Sequence, residues 1–321
     1  MQAARLVGPG TVVVEDVERP AVMGPGQVLV QNLVSTICGS DVHVVYGATV
    51  EAGSRPGYPG HESVGLVVES SAPEHRPGDL LLAVPNLAHA GGFAEYQLLP
   101  AGLVLPLPAD AAPETAVLAQ QLGTTIFAMK RFWPGAGEGT AVVLGAGAVG
   151  LFFTRLCRLA GFEQVVVADL HPHRLELALA VGATRTVLAD GDAVVDVVQQ
   201  VEPAGARLVV EAAGTDVTRR QAIHCVAVDG RIGMFGMPAG PEMTIPFELL
   251  FRRKPTVEFC WDAQAEPGHA SFREGWDAIR TGRVDPAPFL PRLWPLADLP
   301  TALEAARTAE PGSVKYGVRL G

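Results

Sequence analysis

The chain has 321 residues, 48% of them hydrophobic and 18% charged, with 24 Lys and Arg against 34 Asp and Glu and a formal net charge of −10. That composition excludes a disordered chain, and an acidic balance without a basic run speaks against nucleic acid or an anionic membrane as partner. The length allows about two domains, and the longest apolar run, 141–154, falls short of the ~20 residues of a membrane helix.

In chain order, the first third is punctuated by Gly and Pro between short β-type runs such as Val12-Val13-Val14, Val28-Leu29-Val30 and Val64-Gly65-Leu66-Val67-Val68. It reads as a mostly β unit. Near Pro113-Glu114-Thr115 the pattern turns helical, through Ala119, Leu122 and Ile126. Five continuous apolar runs follow, at 140–144, 164–168, 185–188, 207–210 and 230–235, separated by segments of helical length. Such runs fit parallel strands buried on both faces, and their alternation with helices predicts a doubly wound parallel sheet. Val257-Glu258-Phe259-Cys260 fits either an edge strand that pairs with a second copy or an internal strand. Beyond it, 272–279 reads as a helix and 314–320 alternates like a strand. Cys38, Cys157, Cys225 and Cys260 form no CxxC pair, and the N-terminal residues do not resemble an export signal. Reduced thiols and a cytoplasmic protein are the expectation.

Gly145-Ala146-Gly147-Ala148-Val149-Gly150 follows the first of the five runs and opens a helical segment. In this context the first Gly makes the tight turn, the second lets the backbone approach a pyrophosphate, and the third lets helix and strand pack closely. The helix N-terminus offers free amides and a positive dipole end to phosphates. The next run ends in Asp169, 19 residues after Gly150. A carboxylate there can accept the ribose hydroxyls and repels a 2′-phosphate, which favours NAD over NADP; Arg174 lies five residues further on. The alternative is a glycine turn chosen for packing, with Asp169 capping the next helix.

Cys38-Gly39-Ser40-Asp41-Val42-His43 and Gly60-His61-Glu62-Ser63-Val64-Gly65 lie in the first third. Thiolate and imidazole are the usual ligands of zinc, although either residue alone is more often a small buried hydrophobe or a hydrogen-bonding histidine. Taken with Gly91-Gly92-Phe93-Ala94-Glu95-Tyr96, the glycine turn, Val210-Glu211-Ala212-Ala213-Gly214 and the terminal Val314-Lys315, these motifs resemble the zinc-dependent medium-chain dehydrogenases over essentially the whole chain.

The resemblance implies a Rossmann domain (121–262) inserted in a mostly β, GroES-like catalytic domain (1–120 with 263–321), with the active site in the cleft between them. It implies Cys38 and His61 as zinc ligands, Ser40 as the hydroxyl on the substrate alcohol, Asp41 as the carboxylate orienting His61, His43 as the outer end of a proton relay, and Glu62 near the metal and able to bind it. For Asp41 and His43 the plain alternative is loop capping. In place of the family's Cys or Glu third ligand the chain reads Leu118-Ala119-Gln120-Gln121-Leu122-Gly123, which aligns Gln120 with that position. A neutral Gln leaves the centre one charge more positive, which makes a stronger Lewis acid or draws in Glu62; the alternative is that Gln120 marks a weakened or lost metal site. The four-cysteine lobe of many members is missing: only Pro85 to Ala90 intervenes before Gly91, so one catalytic zinc and no structural zinc is expected. The implied activity is hydride transfer between NAD and a small polar secondary alcohol or its ketone (a polyol, sugar, cyclitol or amino alcohol) in a homodimer or homotetramer. Two other readings stay open: a zinc-free enoyl or quinone reductase, and a cofactor-binding protein without turnover.

Overall fold

The computed structural model describes residues 1–47, 55–238 and 240–320. It divides into two compact units, Met1–Gly123 with Gln264–Gly321, and Thr124–Ala263.

The first unit opens with an antiparallel hairpin of β1 (Gln2–Gly8) and β2 (Thr11–Asp16). Next come β3 (Gln27–Ile37), α1 (Gly39–Tyr46), β4 (Glu62–Ser70), β5 (Leu80–Ala83), β6 (Tyr96–Pro100), β7 (Val104–Pro106), α2 (Pro113–Ala116) and the start of α3 (Leu118–Phe132). Beyond the second unit the chain returns to the first with two more helices and two more strands. The long β3 is the organising strand. It pairs antiparallel with β4 on one side and, at its end, with the C-terminal strand on the other.

One segment departs from the strand-rich reading of this region: residues 39–46 are helical. Their valines favour strands, but the chain closes a capping box at Cys38, where the Asp41 side chain accepts the Cys38 amide at 2.8 Å. A box of this kind satisfies the free amides of a first turn and outweighs weak propensity over so short a helix.

The second unit carries β8 (Thr140–Leu144), α4 (Ala148–Ala160), β9 (Gln164–Asp169), α5 (Pro172–Val181), β10 (Arg185–Leu188), α6 (Ala193–Val201), β11 (Ala206–Glu211), α7 (Asp216–Cys225), β12 (Val226–Met234), α8 (Phe247–Arg253) and β13 (Thr256–Phe259). Its strands form one parallel sheet in the order β10-β9-β8-β11-β12-β13. Val142, Leu144, Val166, Val209 and Ile232 are buried in its core with Ala222 and Ile223 of α7. Burial on both faces explains why these strands read as unbroken apolar runs. The order steps outward in both directions from β8 and β11, which is the doubly wound arrangement. The 256–259 segment lies at the edge of the sheet, not inside it.

The C-terminal return is α9 (Ala270–Arg280), β14 (Arg292–Pro295), α10 (Leu299–Thr308) and β15 (Tyr316–Arg319). Here β15 pairs antiparallel with β3, Tyr316 opposite Ile37. Leu299, Ala302 and Leu303 of α10 close the first unit's core with Leu6, Ile37, Phe93 and Val318. This return places Lys315, at the far end of the chain, beside the last residues of β3.

Candidate active site

The cofactor turn sits in the second unit, at the carboxyl end of β8. Gly145 has φ +99°, a left-handed conformation that L side chains rarely adopt. A Cβ at Gly150 would stand 1.8 Å from the Gly145 carbonyl oxygen, so the turn closes only on glycine, whereas one at Gly147 would meet nothing within 4 Å among the described residues. That is the open side on which a pyrophosphate fits. Gly147 is the N-cap of α4, no side chain caps the helix, and the amides of Ala148, Val149 and Gly150 start it. Such a terminus is a ready anion site.

Because β9 pairs with β8 through Ala168 opposite Leu144, the next residue, Asp169, lies beside the turn. Its Oδ2 accepts the Ala146 amide at 2.6 Å, its Oδ1 accepts the His171 amide at 2.9 Å, and Arg174 Nη1 stands 3.9 Å from Oδ2. The carboxylate is thereby fixed at the lip of the turn, where a ribose follows a pyrophosphate. These residues fit a dinucleotide and carry the sequence expectation for NAD.

The metal cluster sits in the first unit. One donor atom each from Cys38, His61 and Glu62 lies within 4.8 Å of the others. Zinc bonds of about 2.0–2.3 Å space tetrahedral ligands roughly 3.5 Å apart, so small side-chain movements close the set. Cys38 precedes α1, His61 precedes β4, and Glu62 begins that strand. The orientation of His61 follows from its neighbours. Its Nδ1 faces Asp41 Oδ1 at 3.0 Å and the Pro59 carbonyl at 3.2 Å, which leaves Nε2 as the nitrogen that could bind a metal. Ser40 Oγ lies 3.5 Å from that Nε2. His43, exposed, follows three residues later on the same face of α1.

The electrostatics are strongly coupled. Burial opposes a charged His61, but Asp41 and Cys38 beside it outweigh burial and raise its pKa well above the ordinary imidazole value. Burial likewise pushes the Glu62 carboxyl up, and Lys315 and His61 more than offset it, leaving the group below the usual carboxylate range.

Two buried residues join the cluster that the motifs did not assign to it. Gln121 Nε2 stands 4.0 Å from Cys38 Sγ and 3.4 Å from Glu62 Oε1, and its Oε1 has no hydrogen-bond partner among the described residues. The amide's nitrogen and oxygen are interchangeable by a flip, and a flip points the oxygen at the metal donors. Gln120 is buried one residue earlier in α3. Consecutive helix residues leave the axis about 100° apart, so the two amides point in different directions. Lys315 is the second addition, with Nζ 2.5 Å from Glu62 Oε2. The signal for it in the sequence is a lone Lys between Val314 and Tyr316, two buried neighbours. A thiolate, an imidazole, a carboxylate and an amide oxygen form a donor set that suits zinc.

Comparison with known proteins places these features. The alcohol dehydrogenase GroES-like domain model matches residues 24–109, and the zinc-binding dehydrogenase model matches residues 148–279. L-threonine 3-dehydrogenase of Bacillus velezensis is 27% identical over 319 residues, covering 90% of each chain. Among solved structures, the alcohol dehydrogenase of Thermus sp. ATN1 is 25% identical with a TM-score of 0.88 over the whole of both chains. A zinc-binding dehydrogenase of Sinorhizobium meliloti 1021 bound to NADP is 25% identical with a TM-score of 0.81, covering 99% of this chain and 98% of its own. Two successive family matches, a relative along nearly its full length and the metal cluster together show that this chain belongs to the zinc-type medium-chain alcohol dehydrogenases, NAD-dependent oxidoreductases that act on CH–OH donors.

Proposed function

We propose that the protein oxidises a small polar secondary alcohol, or reduces its ketone, with NAD and one zinc ion held by Cys38 Sγ, His61 Nε2 and the amide oxygen of Gln121, with Glu62 in reach as a further ligand. The observation that carries the reading is the cluster itself: a thiol, an imidazole and a carboxylate brought together from α1's cap and the start of β4 with the residue before it, with a flippable amide beside them. Gln121 here takes the role that the motif alignment gives to Gln120. When bound, zinc supplies Lewis acidity at the alcohol oxygen and the nicotinamide supplies the hydride acceptor.

The chain's own residues do the rest. Asp41 holds His61 in the tautomer that bares Nε2. Ser40 Oγ, on the Nε2 side of His61, takes the hydroxyl proton of the substrate as it gives up its own, and His43 on the solvent side of α1 accepts the proton leaving the site and releases one to water. The glycine turn and the first amides of α4 hold the pyrophosphate, and Asp169 accepts the ribose hydroxyls, with Arg174 beside it to hold the carboxylate. The L-threonine 3-dehydrogenase match supports a secondary alcohol with a polar neighbour over a simple primary one.

The edge strand β13 exposes Phe259 at 70%, Trp261 is exposed two residues further on, and Phe247 and Phe251 of α8 are exposed in the same unit. An unpaired apolar edge invites a second copy, so we assign a homodimer or homotetramer joined there, which light scattering in solution tests. The described residues contain no helix long and apolar enough to cross a membrane, and the four cysteines are free, which supports the cytoplasm. A panel of L-threonine, butanediols, polyols and cyclitols with NAD tests the activity. NADH from at least one of them supports the reading, and none from zinc-loaded protein overturns it. Zinc lost in Gln121→Ala but kept in Gln120→Ala supports the ligand assignment, and the reverse overturns it.

A further inference from the structure

Glu62 is the member of the cluster whose two oxygens differ most. Oε2 lies 2.5 Å from Lys315 Nζ and accepts the Thr36 hydroxyl at 2.5 Å. Oε1 faces the metal donors, with the Gln121 amide at 3.4 Å. Glu62 and Lys315 are each only 1% exposed, and Lys315 spends a further hydrogen bond on the Ile37 carbonyl at 3.1 Å. A lysine is almost never buried this completely unless it is paired. Replacing such a pair by apolar groups is often neutral or stabilising, so fold stability is a weak reason for its presence. Charge gives a stronger one. The Cys38 thiolate, Asp41 and Glu62 bring three negative charges to one buried place, and a divalent metal with Lys315 brings three positive ones.

We propose that Lys315 is a positioning residue of the metal centre: by holding Oε2 of Glu62 it leaves that carboxylate a single oxygen with which to reach the metal, and it offsets the carboxylate's charge, so that the metal stays open to substrate and strongly electrophilic. The proposal rests on the reading that Cys38, His61 and Gln121 hold zinc. Without Lys315 the Glu62 carboxylate is free to turn both oxygens inward. The metal then binds more tightly but polarises substrate less, while the metal-free protein carries an uncompensated buried carboxylate.

The test compares wild type, Lys315→Met, Lys315→Arg and the double variant Glu62→Gln/Lys315→Met. The readouts are zinc affinity by chelator competition, Tm with and without zinc, and the visible spectrum with Co(II) in place of zinc. In Lys315→Met the expected results are a lower metal-free Tm, a larger rise in Tm on adding zinc, and zinc bound about tenfold more tightly, the low end of the change that a residue behind a metal ligand makes, here by freeing both oxygens of Glu62. Its Co(II) band weakens, as coordination rises above four. Lys315→Arg returns all of these toward wild type, and the double variant loses the gain in affinity. A lysine serving packing alone gives the opposite sign: Lys315→Met binds zinc as weakly as wild type or more weakly, with an unchanged Co(II) spectrum, and that result overturns the proposal. If Lys315→Met does not fold, the double variant, which buries no unpaired charge, is compared with Glu62→Gln. Equal zinc affinity within about threefold and one shared Co(II) spectrum support action through Glu62, and a difference overturns it. Wild type that binds no metal at all refutes the underlying zinc reading instead, and this is seen before any variant is compared.

Discussion

Asp41→Asn is the substitution on which the geometry of the metal cluster makes its sharpest prediction. The carboxylate has two separate tasks: Oδ1 faces His61 Nδ1 at 3.0 Å, and Oδ2 accepts the Cys38 amide at 2.8 Å. An asparagine has one oxygen for both. With that oxygen on the Cys38 amide, its NH2 faces Nδ1 and competes with the Pro59 carbonyl for it: donation from the NH2 moves the ring proton to Nε2, the nitrogen that faces the metal cluster, and an Nδ1–H kept for Pro59 leaves the NH2 opposed to it. With the amide turned the other way, the NH2 opposes the Cys38 N–H and the cap of α1 is lost, at about 1 kcal/mol. Loss of an orienting carboxylate of this kind typically costs 10–100-fold in metal affinity, or about 1.4–2.7 kcal/mol. Chelator competition for zinc at fixed pH measures it. Expected is a loss in that range with the metal-free Tm lowered by no more than a lost cap explains. Zinc bound within about twofold of wild type would show that Asp41 does not set the state of His61 and would refute the argument.

Three further predictions concern the second unit. Gly150→Ala, which in an ordinary helix adds stability of up to about 1 kcal/mol, here drives a methyl group to 1.8 Å from the Gly145 carbonyl. We expect about 1–3 kcal/mol of lost stability and lost NAD binding, read by denaturant unfolding and cofactor titration; a more stable variant that still binds NAD contradicts the turn. Asp169→Ser removes the acceptor of the ribose hydroxyls and frees Arg174, 3.9 Å away, for a 2′-phosphate. The ratio of kcat/KM for NAD over NADP should fall about tenfold or more, since hydrogen bonds to a charged group are worth about 1.5–3 kcal/mol, and an unchanged ratio refutes the assignment. Burial pushes the Cys157 thiol up to about 12 from an ordinary value of 9.0. Below pH ~9 both folded and unfolded chains keep that proton; between ~9 and ~12 only the unfolded chain releases it, so stability falls as pH rises. Replacing Cys157 with Ala should make the slope of stability against pH shallower by about 1.4 kcal/mol per pH unit in that window, whereas parallel slopes would show the thiol titrating alike in both states.

What the sequence made legible, and what it hid, divides along the range of the interactions. The dinucleotide turn lies within one strand–turn–helix unit, and its glycines are dictated by local backbone sterics, so it can be read from 25 residues. The parallel strands are legible for a related reason, since burial on both faces leaves no polar alternation. Cys38 and His61 are far apart in the chain but carry distinctive chemistry. The helix 39–46 was not legible, because a capping box at Asp41 and not side-chain periodicity holds it. Gln121 was hidden beside Gln120, because an alignment of residue types does not fix which of two neighbours on a helix faces the cluster. Lys315 was hidden by distance: it reaches Ile37 across 278 residues of chain, through the pairing of β15 with β3 that no local pattern announces.

One catalytic zinc held by the chain is what metal content tests most directly. Elemental mass spectrometry of protein purified without chelator should give close to one zinc per chain. A value near zero, with the fold intact, would contradict the account, leaving Cys38, His61, Glu62 and Gln121 a buried polar cluster without a metal.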